Sequence, residues 1–214
     1  MNSALNIMRC YGRKEGQYCS VIVGSYQPHT NNKPDRPMHR IVFAFASLSQ
    51  HLNAVERTPD VYRPLACGHC GCLDVWRHGR YHRKADRSAA GALNPVPVLR
   101  FRCRTCSRTC SRLPLCVAPH RWYNWGLQQQ VLLLVFGGCS QRRASSIFTL
   151  ARHTVRRWWQ RLGERTLTFE FYLRSRFAEL GRTADVTEFW LSCLQRMPLC
   201  EAMAWLDSDG VCVP

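Results

Sequence analysis

The sequence predicts an α+β protein in which a small β-hairpin module precedes an all-α bundle. Between Tyr62 and Leu113 the chain is dense in Cys, Arg, Gly and Pro and holds two β-prone pieces, whereas from Asn124 onwards apolar residues recur at helical spacing. A third observation concerns the partner, because 30 Lys and Arg against 14 Asp and Glu give a formal charge of +16. Nearly all these cations are arginine, which grips phosphate and guanine edges, so nucleic acid is the favoured partner.

Apolar runs and the first residues of the chain bear on its compartment. The longest purely apolar runs, Ile41–Ala46 and Val131–Phe136, fall far short of the roughly 20 residues that a membrane-spanning helix needs. Met1–Ser20 is interrupted by polar and charged residues and lacks the apolar core of a signal peptide. We therefore expect a cytoplasmic, nucleoid-associated protein without membrane contact. In that reducing compartment, paired cysteines hold metal more often than they form disulfides.

The first 61 residues carry little pattern. Residues 1–37 are polar and irregular, which predicts a disordered or non-native N-terminal extension, with a natural translation start at Met38 as a further hypothesis. Residues 38–61 form a short apolar segment. Its core, Ile41–Leu48, fits either a strand or one or two helical turns.

Two Cys-x-x-Cys pairs mark residues 62–113 as a zinc ribbon. Two residues between thiolates let one tight turn present both sulfurs to a tetrahedral ion at about 2.3 Å, and two such turns complete a closed structural site. Gly71 supplies permissive backbone after the first pair, and Asp74–Trp76 and Val96–Cys103 are the β-prone pieces that bridge the pairs. The predicted Zn²⁺ ligands are Cys67, Cys70, Cys103 and Cys106.

Other interpretations of these cysteines stay open. Four nearby residues could replace a member of the quartet, with Cys110 the first substitute: Cys72, Cys110, Cys116 and His69. A redox pair would need a single Cys-x-x-Cys in a βαβ setting, and a catalytic zinc would need an open position beside an acid or base. Neither is indicated.

The ribbon is strongly basic. On alternating strand positions, Arg100 and Arg102 line one face, and Leu99, Phe101 and Cys103 line the other. We expect Arg100 and Arg102 to contact phosphates, the alternative being a merely solvated face.

A connector over residues 114–123 leads into a predicted helix-turn-helix over 124–162. The two prolines of Leu113–Pro119 oppose helix and favour extended chain. Asn124 can cap a first helix that Gly137-Gly138 ends, and Ser140 can cap a second helix over Gln141–Phe148. The residues expected to face inward are Leu127, Val131, Leu134 and Val135 in the first helix and Ala144, Ile147 and Phe148 in the second.

A third helix, from Arg152 to Leu162, is the predicted recognition helix. Val155, one of Trp158 and Trp159, and Leu162 supply its buried stripe. The side chains left for the major groove are Arg152, His153, Arg156, Arg157 and Gln160. The alternative is a structural three-helix bundle with a solvated arginine face.

Residues 163–214 are predicted to be a short helical tail. Helices are expected over Phe171–Leu180 and Asp185–Arg196, followed by a short end of mixed composition.

Three stretches with their order along the chain resemble the zinc ribbons of bacterial insertion-sequence transposases and their accessory proteins. They are Tyr62–Cys70, Trp76–Tyr81 and Arg100–Cys106, and His153–Trp158 looks like the recognition helix that follows in that family. The similarity covers about half of the chain. It implies a transposase-related protein that binds double-stranded DNA sequence-specifically, with inverted terminal repeats, a separate transposase subunit and a second copy of the chain as partners.

The chain departs from the family at Gly68, Cys110 and Ala151, where Pro, a larger apolar residue and a Ser or Thr cap are common. The resemblance also suggests a three-carboxylate nuclease. The acidic residues available are Asp185, Asp207 and Asp209, with Glu188 nearest the first, on a tail too short for the usual sheet. We therefore predict no catalytic residues and no strand cleavage by this chain alone.

Three alternative functions remain. A zinc-dependent transcription regulator would use the same parts, and a metal-dependent DDE-type transposase or nuclease would use the carboxylates. Binding of RNA or single strands would use the aromatic group Trp122, Tyr123 and Trp125.

Overall fold

The computed structural model describes residues 39–86, 93–119, 123–181 and 185–213. The predictions for residues 1–37, for Met38 and for Trp122 lie outside these ranges. The strands are β1 (Ile41–Val42), β2 (Val75–Arg83), β3 (Val96–Cys103), β4 (Thr109–Cys110) and β5 (Leu113–Pro114). The helices are α1 (Leu48–Arg57), α2 (Trp125–Phe136), α3 (Gln141–Ile147), α4 (Arg152–Arg176), α5 (Val186–Arg196) and α6 (Leu199–Ser208).

The architecture is mixed, as the α+β prediction requires. Strands β2, β3 and β4 form an antiparallel sheet in that order, and β1 pairs with β5 in parallel. Among the described residues, all α-helices except α1 follow the strands along the chain. Sheet and helices are thus largely segregated in sequence, which is typical of α+β proteins.

The hairpin β2–β3 positions the cysteines. Strand β2 is much longer than the predicted piece Asp74–Trp76, since it runs to Arg83 with an irregularity between Arg77 and Arg80. Gly79 lies inside this irregularity with φ of 78°, a left-handed conformation that glycine adopts without strain. Strand β3 coincides with the predicted piece Val96–Cys103.

The two faces of β3 pack against different groups. Leu99, Phe101 and Cys103 are buried in a core with Tyr62 and Val55. On the opposite face, Val96 and Val98 are buried with Leu113 and the connector residue Val117, whereas Arg100 is exposed and Arg102 is half-buried. The alternation expected from the sequence is therefore present.

The short apolar segment contains both a strand and a helix. Residues 41–42 pair with β5, Phe45 turns the chain with φ of 64°, and α1 begins at Leu48 behind a capping box formed by Ser47 and Gln50. The Asp207 carboxylate of α6 accepts hydrogen bonds from the backbone N–H of Arg40 (2.6 Å) and of Ile41 (2.8 Å). This contact ties the segment to the helical part.

Helices α2 and α3 begin at the predicted caps, with the side chains of Asn124 and Ser140 accepting from backbone N–H groups. The predicted inward faces need two corrections. Ile147 is 55% exposed, because α3 ends there and its buried residues are Ala144 and Ser145. In α2, Leu134 is 37% exposed, and the buried set is Trp125, Gln128, Val131, Leu132 and Phe136.

Helix α4 is the largest departure from expectation. It continues from Arg152 to Arg176 rather than ending at Leu162, so the separate helix expected over Phe171–Leu180 is wrong. Gly163 does not break the helix because the buried stripe continues on the same side, through Leu162, Thr166, Phe169 and Leu173.

The C-terminal helices close the main core. Asp185 caps α5, and α6, which the sequence did not indicate, begins after Pro198. The largest apolar cluster is formed by α2, α4, α5 and α6 around residues such as Trp158, Phe169, Phe189 and Trp190. No helix within the described ranges combines the length and apolar character needed to cross a membrane.

Candidate metal centre and basic surfaces

Four cysteine sulfurs converge at one end of the hairpin. The Sγ atoms of Cys67 and Cys106 are 3.6 Å apart, those of Cys70 and Cys103 are 3.5 Å apart, and all four lie within 4.8 Å of one another. Among the described residues this is the only group of three or more His, Cys, Asp or Glu side chains placed to hold a metal ion. These are the four residues proposed from the sequence.

The two Cys-x-x-Cys turns share one backbone pattern. In the first, the N–H of Gly71 donates to the carbonyl of Cys67, and the N–H of Cys67 donates to the carbonyl of Cys72. In the second, the N–H of Ser107 donates to the carbonyl of Cys103 in the same way, and the N–H of Cys103 donates to the carbonyl of Arg108. Each turn thus presents its two sulfurs from equivalent positions.

The left-handed residue of the second turn was not foreseen. Ser107, with φ of 58°, stands where Gly71, with φ of 73°, stands in the first turn. Aligning Cys67–Cys72 with Cys103–Arg108 is the signal that would have found it.

The sulfur arrangement fits a tetrahedral ion. Zinc–sulfur bonds of about 2.3 Å place tetrahedral sulfurs about 3.8 Å apart. The Cys67–Cys106 and Cys70–Cys103 pairs, at 3.6 and 3.5 Å, therefore lie within about 0.2 to 0.3 Å of that spacing. The residues present thus suit a closed four-thiolate site with no position left for a substrate.

Backbone dipoles favour thiolates at one cysteine of each pair. Burial acts to raise the pKa of Cys67, but the N–H groups of Cys70 and His69 point at its sulfur and bring the pKa to about 7. The N–H of Cys106 likewise lowers the pKa of Cys103. For Cys70 and Cys106, backbone N–H groups act to lower the pKa, but burial and the neighbouring sulfurs raise it. Four thiolates so close together require a cation between them.

The substitutes considered for the quartet all lie outside it. The Cys72 sulfur accepts from Thr105 Oγ1 at 3.0 Å, and Cys110 pairs with Phe101 across β3 and β4. Cys116 packs against the cluster that contains Val98 and Val117, and burial raises its pKa to about 12. His69 Nδ1 lies 3.1 Å from the Arg108 guanidinium. Each therefore has another structural environment.

The buried side chain of His51 is hydrogen-bonded to Tyr62, which packs against the cysteine centre. The Nε2–H of His51 donates to the carbonyl of Pro97 (2.8 Å), so its Nδ1 accepts from the Tyr62 hydroxyl (2.7 Å). Tyr62 packs in turn with Cys67, Phe101 and Cys103 in one core. Burial lowers the pKa of His51, which favours the neutral imidazole.

The proposed phosphate contacts lie on the solvent side of the hairpin. The Arg100 guanidinium sits 5.3 Å from the centre of the Tyr81 ring, and Arg102 is half-buried between its cross-strand partners Trp76 and Thr109. Acidic compensation is slight, since Asp74 pairs with Arg104 at 3.5 Å across an exposed contact.

The proposed base contacts share one surface of α4. Arg152, His153, Arg156 and Arg157 are exposed and Gln160 is half-buried, whereas Thr154, Val155 and Trp158 are buried. Of the adjacent tryptophans, Trp158 belongs to the core and Trp159 is 42% exposed. Helices α3 and α4 pack together across residues 148–151, where Thr149 takes φ of 51°. Ala151 precedes α4 and provides no side-chain cap.

The carboxylates considered for catalysis each have a structural contact. Asp185 caps α5 through the N–H of Glu188, Asp207 holds the start of β1, and Asp209 pairs with Arg176. The aromatic group considered for single strands is also partly internal. Trp125 is 5% exposed, and Tyr123 packs edge-on against Trp158, with ring centres 5.4 Å apart.

Comparison with known proteins adds one match. A protein-family model described as "Domain of unknown function (DUF6431)" matches residues 65–158, which is less than half of the chain. No curated protein and no solved structure gives a match. The matched range runs from just before Cys67 to Trp158, and so includes the cysteine centre and the first turns of α4.

Proposed function

We propose that this chain is a zinc-stabilised protein that binds double-stranded DNA sequence-specifically, with a zinc ribbon in residues 62–113 and a helix-turn-helix in residues 124–162. One observation carries the proposal. The first turns of α4 expose Arg152, His153, Arg156 and Arg157 together while the opposite side of the same turns is buried. A rigid helix with such a face suits the major groove.

Zinc is the metal we propose for the four cysteines. It prefers tetrahedral thiolate sites, and a four-sulfur site without an open position is structural. Its role here is to fix the hairpin, so that Arg100 and Arg102 are held as phosphate contacts. Phosphate contacts set orientation, and base contacts from α4 set sequence preference.

The association with an insertion sequence rests on the family resemblance of the ribbon and of His153–Trp158. It makes inverted terminal repeats the proposed target, with a separate transposase subunit or a second copy of the chain as protein partners. Cleavage is not part of the proposal, because Asp185, Asp207 and Asp209 are engaged in capping, backbone and ion-pair contacts.

The experiment is selection of bound genomic fragments followed by variant binding. Arg156→Ala should reduce the preference for the selected site over random duplex by about 5- to 150-fold, the equivalent of roughly 1–3 kcal/mol per base contact. Arg102→Ala should weaken binding to every duplex alike and reduce the salt dependence by about one charge.

The matched control is Arg196→Ala, which removes an exposed arginine of α5 outside both surfaces. Arg196→Ala should leave the preference for the selected site and the salt dependence of binding unchanged. Equal losses on selected and random DNA for Arg156→Ala and Arg102→Ala would contradict the division of roles. Fragments that map to promoters rather than to terminal repeats would replace the insertion-sequence role with that of a transcription regulator.

A further inference from the structure

An exposed tryptophan lies on the arginine-bearing face of the hairpin. Trp76 on β2 is directly opposite Arg102 on β3, and Arg102 is directly opposite Thr109 on β4. Directly opposed residues of antiparallel strands share a face, so these three form a row across the sheet. Trp76 remains 43% exposed, although the other face of the same hairpin buries Phe101 completely.

This ring borders a cleft of about 390 Å³. The lining residues are Asp74, Trp76, Arg102, Cys103, Arg104 and Ser107. The floor is rigid, because the cross-strand pairs hold Trp76 and Arg102, and Cys103 belongs to the metal centre. His78 contacts the Trp76 ring edge-on with centres 5.0 Å apart, which restrains the orientation of the indole.

The charge around the cleft suits an anion next to a flat ring. Arg104 has 81% of its side chain exposed, and its contact with Asp74 is an exposed pair at 3.5 Å that contributes little. Arg104 can therefore turn to a phosphate at small cost. Arg102 lies beside the ring, and Arg100 adds a further cation on the same strand.

We infer that this cleft binds an unpaired nucleobase of single-stranded nucleic acid, with Trp76 as the stacking surface and Arg102 and Arg104 holding adjacent phosphates. The base must be unpaired, because inside a duplex its faces are covered by neighbouring bases. The inference rests on the proposed function in taking nucleic acid as the partner, and it shares Arg102 with the proposed duplex phosphate contacts. It uses a different surface from α4 and different residues from Trp122, Tyr123 and Trp125.

The test uses the full chain and labelled eight-nucleotide oligothymidylate in an anisotropy titration at fixed salt. Trp76→Ala should weaken binding about tenfold or more, since stacking contributes roughly 1–3 kcal/mol per base. Trp76→Phe should retain most of the affinity. The matched control is Trp159→Ala, which removes a tryptophan of nearly equal exposure, 42%, from α4 and should leave single-strand binding unchanged.

Two further probes separate stacking from charge. An abasic oligomer of equal length should bind the wild-type protein as weakly as oligothymidylate binds Trp76→Ala. Oligouridylate distinguishes RNA from DNA as the natural ligand. An affinity for oligouridylate at least tenfold above that for oligothymidylate identifies RNA, and an affinity at least tenfold below it identifies DNA. Zinc content and far-ultraviolet circular dichroism on each variant establish that the fold is retained.

Three outcomes would overturn the inference: no binding of single strands, equal affinity for the abasic oligomer, or an unchanged affinity in Trp76→Ala. The inference would also be overturned if a glutamate-rich peptide displaced the oligomer equally well from the wild-type protein and from Trp76→Ala. The face would then be a general anion-binding surface. These failures are distinct from failure of the proposed function, which is measured on duplex DNA with Arg156→Ala. That variant should bind single strands normally.

Discussion

Removal of the proposed metal ion is the perturbation that tests the structure most directly. A structural zinc contributes on the order of 10–16 kcal/mol in zinc-finger peptides, which matches or exceeds the roughly 5–15 kcal/mol stability of a whole domain. Among the described residues the core beneath the site is small: nine buried residues, two of which are the proposed ligands Cys67 and Cys103. Such a core is not expected to hold the hairpin without the ion.

The helical part should respond differently. Within the part of the chain that the structure describes, its cluster contains 26 buried residues drawn mainly from α2, α4, α5 and α6, and no member is a proposed metal ligand. Exhaustive chelation should therefore unfold the hairpin module and leave most of the helical signal. The assay combines metal stoichiometry, the difference in fluorescence between the wild-type protein and Trp76→Phe, and circular dichroism at the helical band.

Cys103→Ser is the matching substitution, and Cys139→Ser is its control because Cys139 lies between α2 and α3, outside the quartet. We expect one metal ion per chain in the wild-type protein and in Cys139→Ser, and loss of tight binding in Cys103→Ser. The reasoning would be refuted if the purified protein contained no stoichiometric metal and its hairpin stayed folded after chelation.

Three further predictions concern stability. Burial lowers the pKa of His51 below that of the unfolded chain, so the free energy of unfolding should hold its full value above about pH 6.5 and fall as the pH drops below it. Urea titrations at pH 7 and pH 5 should show a smaller loss of stability in His51→Phe than in the wild-type protein. Asp207→Ala leaves the N–H groups of Arg40 and Ile41 without their acceptor and should cost about 2–3 kcal/mol in urea unfolding, with Asp207→Asn, which keeps one acceptor oxygen, costing less. Thr149→Gly should raise the free energy of unfolding by up to about 1 kcal/mol, and the melting temperature with it, because Thr149 has φ of 51°. An equal gain in Thr149→Ala would contradict this explanation.

The cysteine quartet could be predicted because its signal is local. Two residues between cysteines already define a turn that presents two sulfurs, and the strand alternation of β3 follows from its own residues. The same holds for the helix caps at Asn124 and Ser140, whose side chains bond to backbone N–H groups three residues on. In each case the determining atoms lie within a few residues of one another.

The features that escaped prediction depend on distant packing. Gly163 has weak helix propensity, and only the burial of Thr166, Phe169 and Leu173 against other helices shows why α4 continues past it. Its hydrophobicity predicts that Ile147 faces inward, but Ile147 is the last residue of α3 and is 55% exposed. Pairing of β1 with β5 joins segments about 70 residues apart, which no local pattern encodes.

The continuity of α4 has a consequence for how the protein would engage DNA. With 25 residues the helix is about 37 Å long, and its later turns are locked into the main core while its first turns carry the arginines. The end proposed to face the groove is therefore ordered before any encounter, and complex formation would incur no cost of helix formation. Association should proceed with a small change in heat capacity, governed by ion release rather than by coupled folding.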